Sequence, residues 1–205
     1  MSLEILLQST LVDEVRVMYH AERQLLAVLP KLVKAAKSSV VRASLQRRLG
    51  ETEEHVIRLE LVLASLGRPG RVNRGRSGGM HGILDDAMER VGDGSRSVAV
   101  DARLIADVLR VQHYQISTYR TLRSWADMLS HERARRLLFL TLEEEIVAEA
   151  TLREVADAGV RELVRNDQRS RLADPAVRVS RPLPDQGALS THAQRRPACD
   201  PAAGR

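Results

Sequence analysis

Glu22, Glu51, His55, Gln112, Gln115, Glu145 and Glu149 stand on, or within one helical turn of, stripes that are otherwise aliphatic. Glu22 interrupts the run Leu11, Val15, Met18, Leu25, Leu29, and Glu145 interrupts Ala134, Leu138, Ala148, Leu152. A lone buried carboxylate is costly unless it is paired, protonated or bound to a cation. Two such intrusions at similar depth therefore suggest carboxylates that meet. Glu51 and His55 add an acid and an imidazole four residues apart beside Thr52, and Glu149 follows Glu145 by one turn.

The spacings repeat. Glu22 precedes Glu51 by 29 residues and His55 by 33, while Gln115 precedes Glu145 by 30 and Glu149 by 34. Each half of the chain thus offers one inward polar group followed by a pair at i, i+4. Convergent carboxylates with a histidine inside a helical bundle are the ligand set of di-iron and di-manganese sites, because hard oxygens bridge the ions and imidazole caps them. In that class the acid usually stands three residues before the histidine, and here the nearest stands four before His55. The same carboxylates could pair instead with Arg16, Arg23, Arg47, Arg48 or Arg110, and acidic runs such as Glu51–Glu54 and Glu143–Glu145 are commonly solvated helix faces.

Four long segments with heptad-like apolar spacing must position these groups. They cover about residues 3–37, 40–66, 97–129 and 131–159, with stripes Leu45, Leu49, Thr52, Val56, Leu59, Leu63, Leu66 in the second and Leu104, Val108, Val111, Gln115, Thr118, Leu122, Trp125, Leu129 in the third. Pro30 should bend or loosen the first helix, Ser38 and Ser39 mark the tight turn after it, and Gly67 is a good C-cap for the second. Between the hairpins lie an exposed Gly/Arg-rich connection, residues 67–79, and a short amphipathic helix near 80–91. Short turns within each hairpin and a long crossover between them predict an all-α, ferritin-like four-helix bundle over residues 1–160. Residues 161–205 form a basic, proline-bearing tail expected to be disordered.

Only one Phe, one Trp and three Tyr occur in 205 residues, so the core is aliphatic, which suits helices. The single Cys199 can close no internal bridge, and the start of the chain has neither a basic flank nor a long apolar run. A reducing, cytoplasmic setting without a membrane span is the expectation. The net charge of +5 is uneven, with four Arg and no acid in residues 67–79 and nine Arg against five acids in 161–205. Such segments can hold nucleic acid; yet 29 Arg to 3 Lys along the chain points to codon bias, leaving nucleic acid the weaker partner.

The stretches DEVRVMYHAERQLLAVLPKLVKAA, GETEEHVIRLELVLASLG, MHGIL, DARLIADVLRVQHYQISTYRTL and LTLEEEIVAEATL resemble, in collinear order over residues 3–157, the YciE/YciF-like stress proteins of the ferritin-like superfamily. That resemblance implies a stress-response role, a homodimer and a dinuclear centre, with Glu22, Glu51, His55, Glu145 and Glu149 at ligand positions. The third helix departs from the family pattern, which resembles VEHYEIASY and places glutamates where Gln112 and Gln115 stand. A glutamine brings a neutral carbonyl oxygen and an NH2 donor instead of a charge. A degenerate centre is expected, binding iron or manganese weakly, as a single ion or not at all. A metal-free structural or interaction bundle is the alternative; no catalytic residue is assigned, although Tyr19 and Tyr119 stand near enough to serve as hydrogen-bonding partners.

Overall fold

A computed structural model describes residues 2–68, 77–92 and 99–173. These form α1 (Leu3–Ala35), α2 (Ser39–Ser65), α3 (Gly78–Gly92), α4 (Ala99–Met128) and α5 (Glu132–Ala173), with no strand among the described residues. None of the helices is long and apolar enough to cross a membrane. Most of the Arg-rich connection and the tail beyond residue 173 lie outside the described residues.

Local chemistry sets the ends. Ser2 and Ser38 cap α1 and α2, their hydroxyls accepting from the backbone amides of Ile5 and Val40. Gly67 ends α2 at φ 73°, where the amides of Gly67 and Arg68 donate to the carbonyls of Ala64 and Leu63. The same motif ends α4 with a serine: Ser130 adopts φ 58°, and the amides of Ser130 and His131 donate to the carbonyls of Asp127 and Ala126. Pro30 stays inside a continuous α1, on its exposed side. It leaves the Leu26 carbonyl without its usual donor but does not end the helix.

The connection between α1 and α2 is held from a distance. Both carboxylate oxygens of Asp101, at the start of α4, accept backbone amides of that turn, from Lys37 at 2.8 Å and Ser38 at 2.7 Å. α1 packs on α2, α3 and α4, and α3 packs on α4 as well. α5 joins α2 and α4 through side chains described below. The core is aliphatic, with Leu11, Leu25, Leu29, Leu45, Leu59, Leu122 and Leu138 all buried, each contributing about 1.5–3 kcal/mol by leaving water.

Two expectations shift. In α2 the buried line runs Val41, Leu45, Arg48, Thr52, His55, Leu59, while Leu49 and Val56 sit at its edge. The helix is rotated by about one residue relative to its apolar pattern, which turns an arginine and a histidine into the core. The second difference concerns α5, which continues as a helix to Ala173, well past the end near residue 159 that the apolar spacing predicts. Residues 1–164 form one compact unit and Arg165 onward a second, of which nine helical residues, 165–173, are described. From Val160 on, the described side chains are exposed, so apolar burial does not hold the helix there.

Candidate metal centre

Glu22 of α1, Arg48 and His55 of α2, Gln115 and Tyr119 of α4 and Glu145 of α5 are buried together at mid-bundle. Leucines at those positions would contribute about 1.5–3 kcal/mol each, so the polar layer is a cost that aliphatic packing does not explain.

Gln115 connects the two charged sides. Its Nε2 donates to both oxygens of Glu22 at 2.9 Å, and its Oε1 accepts from Arg48 Nη2 at 2.5 Å. Tyr119 donates to Glu22 Oε1 at 2.7 Å. Arg48 Nη2 also donates to Glu145 Oε1 at 2.6 Å. That oxygen in turn lies 3.2 Å from His55 Nδ1, without the alignment of a hydrogen bond, and Glu22 Oε1 lies 3.8 Å from the same nitrogen.

The histidine is oriented from outside. Its Nε2 is 3.0 Å from Glu144 Oε2, and Arg58 holds that carboxylate through two contacts of 2.5 and 2.8 Å. An Nε2–H donated to Glu144 leaves the Nδ1 lone pair facing Glu22 and Glu145. A carboxylate behind an imidazole is the arrangement that fixes the tautomer of a metal-ligating histidine.

Three ligand atoms, one each from Glu22, His55 and Glu145, lie within 4.8 Å of one another, all on fully buried residues. His55 Nδ1 and Glu145 Oε2 are sealed from water and have no hydrogen-bond partner, and the same is true of Gln112 Oε1 and of Arg48 Nε and Nη1. Native proteins leave few such atoms, so a cluster of them needs a reason. Two carboxylates and an imidazole nitrogen within 4.8 Å of one another are a donor set that fits a hard or borderline divalent ion.

Electrostatics divide the two acids. Burial raises the Glu22 carboxyl above its ordinary value, and His55 offsets this only in part. Burial acts the same way on Glu145, but Arg48 and His55 outweigh it and hold that carboxyl below the usual range. For His55, burial opposes protonation, yet contact with Glu145 and the charges of both acids win and raise it. Tyr119 is pushed well above 10 by burial and by Glu22, so it remains a donor. Both raised groups, Glu22 and His55, are thereby biased toward their protonated forms when no cation stands between the acids.

Of the seven residues singled out by spacing, Glu22, His55, Gln115 and Glu145 converge. Glu51 lies at the rim, its carboxylate 3.5 Å from Arg47 and 3.8 Å from Arg48. Glu149 turns to the surface, paired with His113 and Arg153. Gln112 is buried next to Arg48 and Glu51 at a small cavity. Sequence reasoning gave Arg48 only as one of five arginines able to pair with the acids, because a charged residue does not advertise a core position. Glu144 was hidden within an acidic run.

A family model, the domain of unknown function DUF892, matches residues 7–165. The chain belongs to the DUF892 family. YciF of Escherichia coli is 31% identical over 148 residues, which cover 72% of this chain and 89% of YciF. The crystal structure of that stress protein matches the DUF892 bundle with a TM-score of 0.72 at 29% identity, over 76% of this chain and 97% of the other. YcfI of Rhodopseudomonas palustris, provisionally described as a structural protein, matches with a TM-score of 0.67 at 30% identity, over 72% and 92%. A Xanthomonas campestris protein shares the fold at 15% identity, with a TM-score of 0.62 over 79% and 98%.

Proposed function

We propose that this chain is a ferritin-like protein of stress response that holds a single divalent ion, iron or manganese, between Glu22, His55 and Glu145. The supporting observation is the pair of sealed, unpartnered atoms, His55 Nδ1 and Glu145 Oε2, in a cluster whose ligand atoms lie within 4.8 Å of one another. A neutral imidazole whose Nδ1 faces two carboxylate oxygens is favoured by a cation between them, and without one the imidazole takes up a proton instead. Such an ion would bring Lewis-acid chemistry and, as iron or manganese, electron transfer with oxidants of the kind that accompany stress. Glu144 and Arg58 would orient the imidazole, Tyr119 and Gln115 would hold Glu22, and the aliphatic shell would exclude water.

Elemental analysis of protein purified without chelator, then reconstituted with Fe(II) or Mn(II), tests this. The expected content is about one ion per chain, since preformed buried sites bind near stoichiometrically, and a content below about 0.2 overturns the reading.

A metal-free bundle with a structural or interaction role is the second reading. It is favoured by the way Gln115, Tyr119 and Arg48 satisfy most of the acids' oxygens without an ion, and by the provisional description of YcfI. Under either reading the protein is taken as a cytoplasmic homodimer. Exposed Ile57 and Leu61, one turn apart on α2, together with Leu140 and Val147 on α5, support association.

A further inference from the structure

We infer that Arg48 is a built-in cation standing where a second metal ion would stand, and that it limits this bundle to one ion. The single-ion part rests on the reading of Glu22, His55 and Glu145 as a metal site; the position of Arg48 does not.

The guanidinium lies where the other half of a two-ion centre would need positive charge. Nη2 contacts Gln115 Oε1 at 2.5 Å and Glu145 Oε1 at 2.6 Å, and Nη1 lies 3.8 Å from Glu51 Oε2. These contacts reach α4, α5 and α2, so one side chain gathers the oxygens of three groups that spacing alone marks as ligands. Glu145 Oε1 is shared between Arg48 on one side and His55 on the other, as a carboxylate between two cations would be.

Gln115 matches this arrangement and a glutamate would not. Its amide presents an oxygen to the guanidinium and two hydrogens to Glu22, which bridges a fixed cation to a fixed anion. A glutamate there would set a second carboxylate against Glu22. The glutamine on α4 and the arginine on α2 therefore act as a pair.

Space and charge agree. The cavity left beside Arg48, Glu51 and Gln112 measures about 10 Å³, at the lower limit for one water molecule and too small for a hydrated ion. Glu22, Glu51 and Glu145 carry three negative charges when ionised. Arg48 and one divalent ion are enough to neutralise them even before Arg47, which also faces Glu51, is counted, whereas a second divalent ion would leave at least two uncompensated positive charges. Arg48 is 3% exposed, and its Nε and Nη1 lack hydrogen-bond partners. Unpaired buried donors of this kind call for an explanation, and a cation held in place for its charge supplies one.

The test compares the full chain with Arg48→Gln, which removes the charge, and Arg48→Lys, which keeps it. Bound Mn(II) is counted per chain by equilibrium dialysis and elemental analysis. Arg48→Gln is expected to bind one ion more than the unaltered chain, and Arg48→Lys the same number as the unaltered chain. No gain in Arg48→Gln, or an equal gain in Arg48→Lys, overturns the inference. Should Arg48→Gln fail to fold without metal, it is refolded by dilution into Mn(II). Recovery of helical circular dichroism with bound ion supports the inference, and a chain that stays unfolded refutes it. An unaltered chain with no ion, beside an Arg48→Gln chain with one, would discard the Glu22–His55–Glu145 site and keep the role of Arg48.

Discussion

Replacing Glu145 by glutamine removes one charge and keeps an oxygen where Arg48 requires it. Arg48 Nη2 lies 2.6 Å from Glu145 Oε1, with both residues buried. At that distance the gross attraction is about 6 kcal/mol for an effective dielectric constant of about 20. Breaking a buried pair from one side costs about 3–5 kcal/mol, because the surviving charge is left without compensation. For a chain of this size each kcal/mol moves the melting midpoint by roughly 2–4 °C, so Glu145→Gln should melt roughly 6–20 °C lower in chelator. Removing both charges, as Arg48→Met with Glu145→Gln, should recover much of that loss, since an apolar replacement of a buried pair is often neutral. Thermal melts of the four chains of this cycle, followed by circular dichroism, give the coupling directly. A Glu145→Gln chain that melts within about 2 °C of the unaltered one, or losses that simply add in the double variant, would refute the assignment of Arg48 and Glu145 as a desolvated pair.

Two other outcomes follow from the same geometry. The folded-state pKa of His55 is raised above 6.5, so the stability its proton provides is complete below that value and is lost as pH rises through the folded-state pKa. Glu22, raised from 4.5, loses stability in the same direction. In chelator the melting midpoint should therefore decline above about pH 6.5, and His55→Gln should flatten the decline; a level profile in the unaltered chain between about pH 6 and 9 contradicts the protonated cluster. Ser130 adopts φ 58° and is exposed, so Ser130→Gly relieves a left-handed strain at no packing loss. A gain of about 0.5–1 kcal/mol in denaturant unfolding is expected, and a less stable variant would show that the serine side chain has a role at that turn.

The sequence determined the helices, the hairpins and the depth of the acids, because apolar period, serine and glycine caps and loop lengths are local properties. Leu11 to Leu29, Ala134 to Leu152, the cap at Gly67 and the inward Glu22, Gln115 and Glu145 are all readable from spacing. Family likeness added the order of the blocks and the oddity of glutamines on the third helix. Helical rotation was not local. Leu49 and Val56 are as apolar as their neighbours, and only packing against α1, α4 and α5 turns Arg48 and His55 inward in their place. The split between Glu145, which meets Arg48, and Glu149, which turns to His113 and Arg153, was likewise decided by partners from other helices. Charges that interact over a few ångströms in the bundle lie up to 97 residues apart along the chain. Periodicity therefore names the candidates, and the tertiary structure selects which cation each carboxylate meets.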